Sequence, residues 1–112
     1  MRPNPKRLNP LQLRTLALLQ ALAREPAFAN PPEPDGMVSI HTLPHAHGDH
    51  FHVGRAVVSV RDATGLGNSS VLNALARKGL LHVGRTGLPA LTSEGLAYDT
   101  GIASEFLHGD DH

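Results

Sequence analysis

The sequence predicts a small α+β domain, mostly helical, with a three-helix core, a small β-sheet and an added C-terminal helix. Three observations lead there. The chain has 112 residues, enough for one domain and one core. Hydrophobic residues make up 40% of it, yet aromatics are only three Phe, one Tyr and no Trp. Leu, Val and Ala must therefore fill the interior, which suits helices better than an all-β sandwich. Leucines recur at helical spacing near the start, and Gly and Pro punctuate the shorter apolar runs that follow.

The first seven residues are basic and broken by proline, and read as a disordered arm. Asn9-Pro10 starts a helix: Asn can cap, Pro suits the first helical position, and Gln12 completes a capping box. Leu11, Thr15, Leu18, Leu19 and Leu22 form its apolar stripe, and Pro26 ends it. The same opening has features of a secretory leader, with a small-x-small site at Ala27-Phe28-Ala29, but Gln20 interrupts the apolar stretch and Arg24 and Glu25 sit between it and that site. Residues 26–36 are a Pro-, Asp- and Gly-containing loop. Residues 37–43 alternate like a strand, and Phe51-His52-Val53 reads as a second strand returning on the first. From Arg55 to Thr64, Ala56, Val57, Val60 and Ala63 lie at helical spacing, and Gly65-Leu66-Gly67 breaks that run. Ser69–Lys78 is the next helix, capped by Asn68 or Ser69, with Val71, Leu72 and Leu75 inward and Gly79 as its left-handed terminator. Residues 80–83 and 89–92 form two strands about the tip Gly84-Arg85-Thr86-Gly87. A last helix runs from Ser93 to about Leu107, weakened by Gly95 and Gly101, and residues 108–112 are an acidic tail.

Residues 55–92 thus read helix, glycine turn, helix, glycine cap, hairpin, then Leu-Thr-x-x-Gly. This order resembles the winged helix-turn-helix superfamily of DNA-binding domains, MarR-type regulators among them. The resemblance is carried by Val57, Val60, Ala63, Gly65 and Leu66, by Ser69-Ser70-Val71 and Ala74-Leu75, and by Gly79-Leu80-Leu81 and Leu91-Thr92-Ser93-Glu94-Gly95. It implies that the Ser-x-Val helix enters the major groove, that Gly-Leu begins the wing and that Leu-Thr-x-x-Gly opens the next helix. The residues agree with that assignment. Ser69, Ser70, Asn73 and Arg77 make a short polar face, and Asn can pair bidentately with adenine. Arg55, Arg61, Arg77 and Lys78 suit phosphates, and Arg85 sits at the wing tip, where a minor groove would be reached.

The charge distribution is compatible with a polyanionic partner. Ten Lys and Arg balance ten Asp and Glu. All ten basic residues lie in positions 1–89 with five of the acids, so that stretch carries +5 and the last 23 residues −5.

Eight histidines are the compositional oddity, and four stand close together in His45-Ala46-His47-Gly48-Asp49-His50-Phe51-His52. The H-x-H-x-D-H string is similar to the metal-binding signature of the metallo-β-lactamase fold. The rest of the chain argues against that fold, which needs a long β-rich segment before the signature and further ligands after it. His45, His47, Asp49 and His50 remain a candidate set for Zn, Ni or Cu, against the plainer reading of a solvated polar loop. With no Cys there is no disulfide, thiolate site or Cys nucleophile. No catalytic triad, phosphate-binding glycine loop or carboxylate pair stands out, and no apolar run reaches the ~20 residues of a membrane span.

The expectation is a cytoplasmic, non-enzymatic transcriptional regulator that binds double-stranded DNA without a cofactor. A winged-helix protein-interaction module and a His-loop metal-responsive regulator are the alternatives. Dimers are usual for such readers, and the leucine-rich first helix and the tail are the candidate homodimer surfaces.

Overall fold

A computed structural model describes residues 4–101 and the strand backbone at 108–109. Within them the chain is a compact α+β fold whose helices and 3-10 turn pack with two small antiparallel sheets. Its centre is helix α1, Pro10–Ala23. Asn9 caps it, and the reciprocal bonds between Asn9 and Gln12 complete the capping box. Thr15 to Leu19, Ala21 and Leu22 are all buried, so α1 is enclosed on nearly every side rather than along one stripe. The small side chains of Ala17 and Ala21 make this possible by letting neighbours approach the helix backbone. Leu16, Leu18, Leu19 and Leu22 are wholly inside one core. These four leucines therefore belong to the core, whereas Leu11 and Leu13 of the same helix are half-buried.

Strand β1 (Val38–Ser39) follows the predicted loop, in which Asp35 accepts from the Met37 amide and Gly36 takes a positive φ. It joins β4 (Leu81–Val83) and β5 (Pro89–Leu91) in a sheet ordered β1-β5-β4. The second sheet is built on a hairpin of β2 (His50–Val53) and β3 (Ala56–Ser59), closed by Gly54 and Arg55. Gly54 supplies the positive φ, 58°, that such a two-residue turn requires. β2 therefore pairs with β3, and not with the first strand as its sequence suggested. The backbone of β6 (His108–Gly109) adds to the other edge of β3, so the start of the acidic tail is paired into a sheet.

The expected helix from Arg55 to Thr64 does not form. Its first half is β3, because adjacent β-branched Val57 and Val58 suit a strand and the Gly54 turn places them opposite His52 and Phe51. Only Val60–Gly67 winds, as a 3-10 turn kinked at Ala63. That turn lies against α1. A Cβ at Gly65 would overlap Thr15 Oγ1, so glycine is what permits this close approach.

Helix α2 (Ser69–Arg77) packs on α1, the 3-10 turn and β4. Helix α3 (Ser93–Ala97) is shorter than predicted and ends at Tyr98, which turns extended. The part of the predicted helix at 102–107 lies outside the described residues, as do the first three residues of the arm. The rest of that arm is not free. The Tyr98 hydroxyl donates to Asn4 Oδ1 and accepts from the Lys6 amide, and Asn4 also bonds both backbone groups of Leu8.

Two glycines test the central contact. Gly65→Ala should lower unfolding free energy by about 1–3 kcal/mol, as overpacking does against a buried side chain. Gly67→Ala, two residues on in open space with no positive φ, should change it by less than about 1 kcal/mol. Urea unfolding of the two variants checks this; equal effects would contradict the packing.

Candidate nucleic-acid interface

Helix α2 owes its start to Asn68, whose side chain accepts from the Ser70 and Val71 amides. Val71, Leu72 and Leu75 face the core. Ser69, Ser70, Asn73 and Arg77 are all exposed, and residues 69, 73 and 77 form one row by their four-residue spacing. The helix ends in a Schellman motif: Leu80 N donates to Leu75 O at 3.1 Å, and Gly79 N to Ala76 O at 3.0 Å, with Gly79 at φ 80°. This reversal starts β4 at once, so the hairpin is set by the end of the helix.

The β4–β5 hairpin turns through Gly84 to Gly87, bringing Arg85 to an exposed tip. Its base is fixed by Thr92. The Thr92 amide donates to Leu80 O, its hydroxyl donates to Gly79 O at 2.7 Å, and its Oγ1 accepts from the Gly95 amide at 3.0 Å. Gly95 lies so close to β4 that a Cβ there would overlap the Leu80 carbonyl oxygen. The Leu-Thr-x-x-Gly run thus joins helix end, hairpin base and α3 into one unit. Gln20 of α1 completes it by donating to the carbonyls of Gly95 and Tyr98, both at 2.8 Å.

The other basic residues separate into different roles. Lys78 is half-buried and its ammonium donates to the carbonyls of Lys6, at 2.7 Å, and Arg7. It serves as a clasp for the N-terminal turn, so its expected role as a phosphate contact is revised. Lys6 in turn pairs with Glu94 at 2.9 Å. Arg55 is exposed in the β2–β3 turn, where neighbouring Gly54 abuts the Glu25 carboxylate beyond the end of α1. Arg61 is exposed at the opposite end of β3, beside a shallow depression lined by Gly48, Asp49, Ser59 and Val60. Of the eight residues singled out from sequence, Ser69, Ser70, Asn73 and Arg77 share α2, Arg85 tips the adjoining hairpin, and three serve elsewhere. Gln20, Thr92 and Tyr98 position these elements and carried no separate functional signal in the sequence; only Thr92 stood within a recognised run.

Of the clustered histidines, His50 and His52 lie on β2 of the other sheet and His45 and His47 precede it. His45, His47 and Asp49 are exposed and His50 is half-buried. The His50 Nδ1 stands 3.4 Å from the Asp49 carboxylate. Among the described residues, no group of three or more His, Cys, Asp or Glu is placed to hold a metal ion. No described helix is long and apolar enough to cross a membrane. Comparison with protein-family models, with curated proteins and with solved structures finds no match for this chain.

The clasp and the tip should respond differently to loss of charge. Lys78→Met should destabilise the fold by about 1 kcal/mol or more, since it strands two carbonyls. Arg85→Met should stay within about 0.5 kcal/mol, as surface changes do. Thermal and urea unfolding measure both, and an unaffected Lys78 variant would mean that the clasp contributes nothing.

Proposed function

We propose that this chain is a winged-helix module that binds double-stranded DNA, with α2 in the major groove and the β4–β5 hairpin on the flanking backbone. The observation that carries the reading is the outward row of α2. Ser69, Ser70 and Asn73 are short enough to let a helix approach base edges, and Arg77 and Arg85 supply cations at its end and beside it. The chain order supports it further. A helix, a strand, a turn, a helix and a hairpin follow in that order, with the β2–β3 hairpin inserted between the strand and the turn, and β1 lies on the far side of β5 from β4. The departure from the superfamily pattern is the 3-10 turn at Val60–Gly67, which stands where its first helix-turn-helix helix is expected.

Recognition by this route is docking. Val71, Leu72 and Leu75 hold α2 to the core, so its outward face meets the duplex as a rigid surface. Asn73 is the base-reading residue of the proposal and Arg77 and Arg85 are the phosphate contacts. Arg55 and Lys78 are outside the interface.

Fluorescence anisotropy with a selected duplex, at several salt concentrations, tests the reading. Two phosphate contacts per copy give a slope of log K against log salt of about −2, since each releases close to one counterion. Arg85→Ala should weaken binding to every sequence alike and shrink the slope by about one. Asn73→Ala should cost about 1–3 kcal/mol on the selected site and relax preference there. Arg55→Ala should leave both affinity and slope unchanged. A slope near zero, or affinities indifferent to Asn73 and Arg85, would refute the proposal.

A further inference from the structure

We propose that the N-terminal turn at residues 4–8 is a third element of the duplex-binding surface, with Arg7 as a further phosphate contact beside the end of α2. This role rests on the DNA-binding reading above and extends its surface to the start of the described chain.

The turn is built by local sequence. Asn4 and Pro5 suit the first two positions of a β-turn, and the Arg7 amide closes it by donating to Asn4 O at 2.9 Å. The Asn4 side chain accepts from the Leu8 amide at 3.1 Å and donates to the Leu8 carbonyl at 2.9 Å. Leu8 is 4% exposed and seats the turn in the core. The Tyr98 hydroxyl holds the other side through Asn4 and the Lys6 amide. Arg7 is thus fixed from both neighbours while its own side chain stays exposed.

The backbone at Arg7 is costly. It has φ 55°, and among the described residues no other non-glycine has a positive φ. A residue with a Cβ holds that conformation only where its surroundings over-determine it. Glycine would satisfy the same backbone without strain, so the fold of the turn gives no reason for an arginine there. An outward cation does.

Lys78 ties this turn to α2. It is the C-cap of the helix, directly after Arg77. Its ammonium donates to Lys6 O at 2.7 Å and Arg7 O at 3.4 Å, so Arg7 lies one lysine side chain from the end of the helix. The charges then divide. Lys6 is matched by Glu94 at 2.9 Å, and Lys78 is turned onto carbonyls. Among the described residues Arg7, Arg77 and Arg85 are exposed and in no ion pair. A guanidinium without a protein partner suits a phosphate bidentately. A turn already ordered by its own bonds loses little freedom on binding.

The test is fluorescence anisotropy of the full chain with a labelled random-sequence duplex at several salt concentrations. Three phosphate contacts give a slope of log K against log salt of about −3, where Arg77 and Arg85 alone give about −2. Arg7→Gly removes the guanidinium and suits the positive φ, so it should fold as stably as the unaltered chain or more so, which urea unfolding checks. It should weaken binding to every sequence alike and shrink the slope by about one. Arg7→Lys keeps the charge and should keep the slope. A purely structural role for Arg7 would move stability and leave the slope alone. If Arg7→Gly changes neither affinity nor slope while Arg85→Ala loses about one from the slope, Arg7 is not a phosphate contact and the DNA-binding reading stands without it. If neither variant changes them, the DNA-binding reading itself fails, and the role of Arg7 with it.

Discussion

The enclosure of α1 is the constraint on which the other elements depend. A helix with Leu16, Leu18, Leu19 and Leu22 all wholly buried must be covered on several sides by a chain of only 112 residues. The 3-10 turn, α2, α3 and β5 each take a part of that surface. Two polar side chains on the helix decide how closely they come. The Thr15 hydroxyl turns back to Leu11 O, at 2.8 Å, leaving room that only a glycine at position 65 can fill. Gln20 instead reaches outward and satisfies carbonyls at the end of α3. Gln20 is half-buried, and its two donated bonds also fix the segment that carries Thr92 and Gly95.

That arrangement gives α2 and the β4–β5 hairpin a common footing. The Schellman reversal at Gly79 and the bonds of Thr92 leave little freedom between the helix axis and the base of the hairpin. Rigidity of this kind matters for a docking surface, because side chains that need not be ordered on binding cost less affinity. It also divides the lysines from the arginines. The ammonium of Lys78 is spent on backbone carbonyls and Lys6 pairs with Glu94, whereas Arg77 and Arg85 face outward. The local basic excess visible in the sequence is therefore partly structural.

Much of this was legible where signals are local. The Asn9–Gln12 box, the Asn68 cap, the Gly79 terminator and the β4–β5 hairpin all depend on residues within a few positions of each other. The outward face of α2 followed from its periodicity, with Val71, Leu72 and Leu75 inward. The misreading at Arg55 to Thr64 has a specific origin. Ala56, Val57, Val60 and Ala63 satisfy helical spacing, but pairing with β2 supplies hydrogen bonds that intrinsic spacing cannot reveal. The docking of Asn4 and Lys6 was hidden for a different reason: their partner Tyr98 is more than ninety positions away. The spread of burial around α1 was harder to read because Ala17 and Ala21 lie off the stripe of Leu11, Thr15, Leu18, Leu19 and Leu22, yet are buried with it.

The claim that α2 and its hairpin form the working surface is tested most directly by following backbone amide NMR signals while a short duplex is added. The account predicts shifts concentrated at Ser69–Arg77 and at the turn from Gly84 to Gly87, with the β2–β3 hairpin unmoved. Shifts centred on β2 and β3, or no shift at any duplex concentration, would contradict it.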